Sequence, residues 1–303
     1  MIRAGALVAL VSLLCAGMSF GRDEASLQIG GGHILIEFES APSVSLHKLV
    51  LDWVTASARA VSIYYQKFPV SEVRIGLRFF EGRGTRSGHT TGWNGASITM
   101  AVGVQSSAAD FAEDWMMTHE MVHLAFPSVP EAHHWIEEGS ATYVEPIARA
   151  RAGELTVEKV WGDLLDGLPK GLPKPGDRGL DFTPTWGRTY WGGALFCLLT
   201  DIEIHKRTGN NKGLEDALRA ILAAGGTIES DWPLAKALQI GDDAIGVPVL
   251  TELYEKMKAD PAPVDLKELW KQLGVARKGD RIEFNDSAPL AAIRRAITKR
   301  VNG

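Results

Sequence analysis

The stretch THEMVHLAF, residues 118–126, decides how the rest of the chain is interpreted. Two histidines four residues apart on a helix lie one turn above each other on the same face. His119 and His123 therefore offer two converging metal ligands without any loop geometry, and Glu120 lies beside them. A metal ion held from one face needs a further ligand, which has to come from another part of the chain.

The next helical segment supplies candidates for that ligand. A His-Glu-x-x-His pattern on a helix is typical of zinc peptidases, in which the glutamate is the general base and a third protein ligand completes the zinc site. The segment HHWIEEGSATYVE, residues 133–145, follows two prolines and predicts a helix that folds back on the first. Glu138 is the predicted third ligand. His133, His134 and Glu137 remain alternatives, although Glu137 points about 100° away from Glu138 on a helix.

The composition describes an ordinary globular protein. The chain has 303 residues, of which 45% are hydrophobic, so it can bury a large core in one or two compact units. The formal net charge is −5, and no basic run follows the pattern of a phosphate-binding stripe. Nucleic acid is therefore not an expected partner.

The first residues have the pattern of a signal peptide. Arg3 provides a positive start, residues 4–14 form an apolar stretch too short to span a bilayer, and Ser19 and Gly21 suit a cleavage site. We expect cleavage after Gly21 and a periplasmic or secreted mature chain without a transmembrane segment. Cys197 is then its single cysteine; it lies in an apolar run and is predicted to be inert core.

Hydrophobic periodicity predicts a mixed first half and a helical second half. Residues 81–95 and 167–188 are rich in glycine or proline and are predicted to be loops, the second being a lid, a linker or a solvated connector. A capping box at Ser107 predicts a helix that continues to Phe126. The predicted strands are the second half of 27–39, 72–80 and 96–104, and the other predicted helices are 44–68, 131–151, 190–209, 213–225, 249–258, 265–274 and 288–299.

Two segments resemble one known family. HEMVH followed by WIEEGSATYVE resembles the gluzincin pattern of the aminopeptidase N superfamily, whose second helix reads Glu-Gly-x-Ala-x-Tyr. The run EGSATY, residues 138–143, matches that helix at every position, which favours Glu138 over Glu137. TYWGGALFCLLTDIEIHKRTG is similar to the segment that carries the superfamily's catalytic tyrosine, and is closest to the glycyl aminopeptidase branch. The resemblance implies that Tyr190 donates a hydrogen bond to the oxyanion.

The resemblance covers roughly residues 107–301 and departs from the family in several respects, including a shorter spacer before Glu138. Gly192 replaces the lysine of the family's Tyr-x-Lys-Gly pattern, and the Gly-Ala-Met-Glu-Asn stretch that holds a free amine is absent. Aminopeptidase specificity therefore does not follow. The implied fold is α+β: a zincin-like (thermolysin-like) catalytic domain with a small mixed sheet and the HExxH helix, followed by a mainly helical lobe. We expect a signal peptide over 1–21, an α/β lobe with the metal site over 22–150 and a helical lobe of the same unit over 151–303.

Three further expectations concern the surroundings of the metal. In zincins a peptide lies antiparallel along the edge strand before the metal helix, and the segment GWNGASITM, which begins at Gly92 and ends at Met100, occupies that place. His89 is either a substrate contact or an ordinary loop histidine. Glu145 lies two turns beyond Glu138 and either orients a ligating histidine or forms a surface salt bridge.

The sequence therefore predicts an exported zinc peptidase. Zn²⁺ would be bound by His119, His123 and Glu138, with Glu120 as general base and Tyr190 at the oxyanion. Two alternatives are a catalytically silent zinc module that recognises peptide or envelope partners, and a zinc hydrolase of a non-peptide substrate. Whether the peptidase is an aminopeptidase or an endopeptidase stays open.

Overall fold

The computed structural model describes residues 23–300, so the predicted signal peptide lies outside the described residues. A mixed five-stranded sheet with the order β1-β2-β3-β5-β4 forms one side of the fold. Strands β2, β3 and β5 run parallel, and β1 and β4 are antiparallel edge strands. The strands are β1 (Asp23–Ile29), β2 (Gly32–Phe38), β3 (Glu72–Phe80), β4 (Thr85–Thr91) and β5 (Ser97–Gly103).

Two predictions about this sheet are wrong. The predicted glycine-rich loop contains β4, a strand with little hydrophobic alternation that is held by its ladder to β5. Strand β5 is paired on both sides, so the edge strand is β4, and the segment from Gly92 to Met100 has no free edge for a peptide. The strand predicted within 27–39 is β2, preceded by β1, which the sequence did not predict; Gly30 and Gly31 form the turn between them with positive φ.

The helix predicted to continue to Phe126 is broken in two. Helix α1 (Val44–Tyr65) precedes this region. The predicted capping box at Ser107 is present, but it opens only the short helix α2 (Ala108–Glu113). A separate helix, α3 (Met116–His123), follows it. Asp114 lies at the break, where its carboxylate accepts hydrogen bonds from the amide of Met117 at 3.1 Å and the indole of Trp53 at 3.0 Å. The break is therefore in contact with a residue 61 positions away.

The remainder of the described chain is largely helical, as predicted, and the α+β fold class is confirmed. A short hairpin and helices α5 and α8 were not predicted. The elements are α4 (His134–Ala152), α5 (Val157–Gly167), α6 (Gly193–Arg207), α7 (Leu214–Ala223), α8 (Leu234–Ile245), α9 (Val249–Met257), α10 (Leu266–Leu273), β6 (Val275–Lys278), β7 (Arg281–Phe284) and α11 (Ala291–Ile297). Within residues 23–300, no helix is long and apolar enough to cross a membrane.

The connection over residues 167–188 is attached to the helices around it. Asp181 accepts hydrogen bonds from the indole of Trp135 at 2.8 Å and from the hydroxyl of Tyr254 at 2.9 Å, and its Oδ1 lies 3.0 Å from Nδ1 of His133. One carboxylate thus joins the connection to α4 and α9. These contacts favour a packed connector over a lid.

Helices α4 and α6 pack with their backbones in close approach at two glycines. A Cβ atom on Gly139 would lie 2.3 Å from Cα of Gly193, and a Cβ atom on Gly193 would lie 2.1 Å from the carbonyl oxygen of Trp135. Both positions are buried, and the atoms they would meet are backbone atoms that cannot rotate away. The close approach sets the distance between Glu138 on α4 and Tyr190, which precedes α6.

We expect Gly139→Ala to destabilise the fold by about 3 kcal/mol, near the upper end of the usual cost of overpacking, because backbone has to move. Urea unfolding measures this as a lower transition midpoint. Gly76→Ala is the matched control, since its Cβ would meet only Thr99 Cγ2 at 3.8 Å. Equal midpoints for both variants would show that α4 and α6 are not held this closely.

Candidate metal centre

Three side chains from two helices converge on one point. His119 Nε2 lies 3.1 Å from Glu138 Oε2 and 3.2 Å from His123 Nε2, and His123 Nε2 lies 3.6 Å from the same carboxylate oxygen. The histidines are on α3 and Glu138 is on α4, which folds back as predicted. Among residues 23–300 these three form a group whose ligand atoms all lie within 4.8 Å of one another.

The spacing of the three donor atoms fits a tetrahedral zinc ion. Nitrogen and oxygen ligands at about 2.0–2.1 Å from a tetrahedral zinc are about 3.3–3.4 Å apart. The three distances of 3.1, 3.2 and 3.6 Å lie around that value. Two histidines with one glutamate are also a donor set of catalytic zinc sites that leave a position for water. The residues present therefore fit the metal that the sequence predicts.

The alternative ligands have other partners. Glu137 accepts a hydrogen bond from the amide of Val129 at 3.0 Å and lies 2.7 Å from Nδ1 of His134. His133 contacts Asp181. His134 has a contact that the sequence analysis missed. Its Nε2 lies 3.3 Å from Oε1 of Glu138, whereas Oε2 of Glu138 contacts the two histidines of α3. The spacing of four residues between His134 and Glu138 was the available signal.

These contacts keep the carboxylate of Glu138 ionised. Burial alone would raise its pKa, but the contacts with His119, His123 and His134 hold the pKa of Glu138 well below its usual range. Glu137, followed by Glu138, raises the pKa of His134 to about 10, so this imidazolium contributes a positive charge beside the carboxylate. Burial lowers the pKa of His119, which favours the neutral imidazole that binds metal.

Glu120 is buried beside the histidines and held by β4. The hydroxyl of Thr90 donates to Oε2 of Glu120 at 2.6 Å, and a Cβ atom on Gly88 would lie 2.5 Å from Oε1. The β4–β5 register shifts between Arg86 and His89, and the intervening Ser87 has a φ of 56°. Bulges of this kind turn a strand locally and are common near active sites. Strand β4 thus approaches α3 at the glutamate of the HExxH sequence.

Tyr190 lies beside His119. It belongs to a π-helical segment, Gly187–Gly192, directly before α6, and its ring is 6.2 Å from that of His119 with an interplanar angle of 16°. Single π-helical turns occur frequently at functional sites. Burial and the nearby charge of Glu138 raise the pKa of Tyr190 to about 12, so its hydroxyl stays protonated at neutral pH and can donate a hydrogen bond.

Two residues predicted to lie near the metal, His89 and Glu145, have different surroundings from those expected. His89 lies on β4, not in a loop, and its exposed side chain lines the cleft of about 360 Å³ above the metal group. Glu145 is buried, so it is no surface salt bridge, and it pairs with Arg149 at 2.9 Å instead of with a histidine. Burial raises the pKa of Glu145 to about 7.

Comparison with known proteins supports the fold. No family model matches this sequence, and no curated protein matches it. An aminopeptidase N family protein from Idiomarina loihiensis superposes with a TM-score of 0.59 at 11% identity, covering 84% of this chain and 49% of its own. An M1 zinc metallopeptidase variant from Deinococcus radiodurans superposes with a TM-score of 0.53 at 16% identity, and the match covers 80% of this chain and 53% of that protein. A two-domain M1 zinc metallopeptidase variant bound to L-arginine superposes with a TM-score of 0.52 at 16% identity, and the match covers 80% of this chain and 54% of that protein.

The chain therefore has the fold of M1 zinc metallopeptidases at low sequence identity, and it spans about half the length of those structures. Identities of this size concern the fold alone.

Proposed function

We propose that this protein is an exported, zinc-dependent peptidase of the gluzincin type. The observation that carries the proposal is the mutual spacing of 3.1–3.6 Å among the donor atoms of His119, His123 and Glu138, which suits tetrahedral zinc. A buried Glu120 and a protonated Tyr190 beside the histidines supply the two further groups that peptide hydrolysis needs.

Each side chain has a separate part in the proposed reaction. Zinc, when bound, lowers the pKa of a water molecule toward about 7 and polarises a carbonyl oxygen. Glu120 takes the proton of the attacking water and passes it to the leaving amine. Thr90 holds the Glu120 carboxylate from β4. Tyr190 donates to the oxyanion of the tetrahedral intermediate, where fixed donors are most effective.

The substrate is proposed to pair with β4. This is the edge strand beside the cleft, and an extended peptide can add its backbone hydrogen bonds to such an edge. The lobes over 22–150 and 151–303 would form one catalytic unit, because Glu120 lies on the first and Tyr190 on the second. The signal-peptide pattern at Arg3 and Gly21 supports a periplasmic or secreted location.

The silent zinc module and the non-peptide hydrolase are the competing functions. A module that only binds zinc needs neither a buried carboxylate positioned by Thr90 nor a tyrosine beside the ligands, so these two features favour an enzyme. The resemblance to the glycyl aminopeptidase branch does not decide between an aminopeptidase and an endopeptidase.

The test combines metal content with a peptide panel. We expect one zinc per chain after metal-replete purification, and hydrolysis of peptides that stops with chelator and returns with added zinc. Comparing blocked with free-amine peptides then separates endopeptidase from aminopeptidase activity. A chain without zinc would contradict the proposal. A zinc-loaded chain that cleaves neither peptide type would favour the silent or non-peptide function.

Thr90→Val tests the positioning of the general base. We expect kcat to fall about tenfold or more, because a hydrogen bond to a charged group is lost at the residue that moves the proton. Zinc content should stay at the wild-type level, since Thr90 contacts none of the three ligands. Thr99→Val is the control, because Thr99 is an exposed threonine on the neighbouring strand. Unchanged kcat in Thr90→Val would contradict the role of Thr90.

A further inference from the structure

A second cavity adjoins the candidate metal centre. It has a volume of about 420 Å³ and shares Trp115, His119 and Tyr190 with the cleft above the metal group. From these three residues it extends along α4 to α5. A substrate held in that cleft would therefore lie directly beside this cavity. Its volume lies within the usual range for ligand pockets.

Three tryptophans line this cavity. Trp115 precedes α3, and Trp186 and Trp191 flank Tyr190 in the chain. Trp115 and Trp186 are 49% and 61% exposed, which is a large exposed aromatic area to find beside a candidate active site. Trp191 packs so closely on the backbone of α5 that a Cβ atom on Gly167 would lie 1.9 Å from its ring. The ring of Trp191 is thus held in place.

The charged side chains around the cavity are mostly paired with one another. Glu145 pairs with Arg149 at 2.9 Å, and Lys159 pairs with Asp163 at 2.6 Å. The ammonium of Lys170 lies 5.3 Å from the centre of the Trp191 ring, where it is attracted by the face of the indole. Pairing leaves little unbalanced charge for a charged substrate group. The aromatic and aliphatic surfaces are therefore what the cavity offers.

We propose that this cavity selects a large aromatic side chain next to the scissile peptide bond. The inference rests on the proposed peptidase function and names its substrate class. Phenylalanine, tyrosine or tryptophan in the cavity would cover the exposed rings of Trp115 and Trp186, and offset or edge-to-face contacts between aromatic rings add to the area buried. A lysine, arginine or glutamate side chain would lose part of its hydration in a cavity where most of the charged groups are already paired.

The first measurement is kcat/KM of the zinc-loaded enzyme for peptides that carry alanine, leucine, phenylalanine, lysine or glutamate on either side of the scissile bond. We expect kcat/KM for the phenylalanine peptide to exceed that for the alanine peptide by about 10–100-fold at one of the two positions, as for the burial of one large apolar side chain. In Trp186→Ala, and in Leu155→Trp, which fills the cavity, this ratio should fall about tenfold. Trp93→Ala should keep it, since Trp93 is 82% exposed and lines neither cavity.

A binding experiment separates this inference from the proposed function. N-acetyl-L-phenylalaninamide is titrated against wild type, Trp186→Ala and Trp93→Ala by calorimetry, with N-acetyl-L-alaninamide as reference. Binding of the phenylalanine amide that weakens only in Trp186→Ala would support the cavity even if no peptide were cleaved. Cleavage of peptides without an aromatic preference, or with a preference for lysine or glutamate, would overturn the inference while the peptidase function stood.

Discussion

Glu138→Gln is expected to lower the affinity for zinc by more than 100-fold, since even the loss of a residue that orients a ligand costs about 10–100-fold. Glutamine keeps the shape of the side chain but not its negative charge, and Oε2 of Glu138 is the atom that meets both histidines, at 3.1 and 3.6 Å. Peptide hydrolysis should disappear at any zinc concentration that leaves the site of the variant empty. Competition with a chromophoric chelator measures the affinity.

Glu137→Gln is the matched control for this variant. Glu137 is the neighbouring glutamate, and its contacts are with Val129 and His134 instead of the histidine pair. We expect its zinc affinity to change far less than that of Glu138→Gln. If Glu137→Gln lost zinc while Glu138→Gln kept it, the third ligand would have been assigned to the wrong residue.

Glu120→Gln is expected to lower kcat by about 10²–10⁴-fold, the usual contribution of a positioned general base. The amide can still accept the hydrogen bond from Thr90, so the side chain should stay in place, but it cannot take a proton from water. Zinc content should equal that of the wild type, because Glu120 is not among the three converging ligands.

The control for Glu120→Gln is Glu131→Gln, which changes an exposed glutamate before α4. Its kcat should match that of the wild type. Stopped activity together with lost zinc in Glu120→Gln would mean that this residue is a ligand. Retained activity in Glu120→Gln would contradict the proposed role of Glu120 as general base, but it would not affect the assignment of the metal site.

The convergence of His119, His123 and Glu138 could be predicted from sequence because it depends largely on signals that lie close together in the chain. The spacing of His119 and His123 needs only the helical repeat, whereas the run of residues 138–143 favours Glu138 through its resemblance to the second helix of the gluzincin pattern. Each of these signals lies within one helix or one short turn. The structure brings the three side chains together as the sequence analysis predicted.

The surroundings of that group depend on contacts between distant parts of the chain. Strand β4 has few hydrophobic residues, so periodicity does not reveal it, and its ladder to β5 makes it a strand. The hydrogen bond from the hydroxyl of Thr90, on β4, to the carboxylate of Glu120 joins residues 30 positions apart. The break between α2 and α3 contains Asp114, which accepts a hydrogen bond from Trp53, 61 positions earlier.

The α+β class, most of the helices and the convergence of His119, His123 and Glu138 could thus be predicted from the sequence. The tertiary structure alone decided which strand is the edge, what holds Glu120, and that three tryptophans meet in a cavity beside Tyr190. The physical reason is the range of the interactions. Helical spacing acts over a few residues and is visible in any window of sequence, whereas strand pairing and cavity formation join segments whose separation no local pattern records.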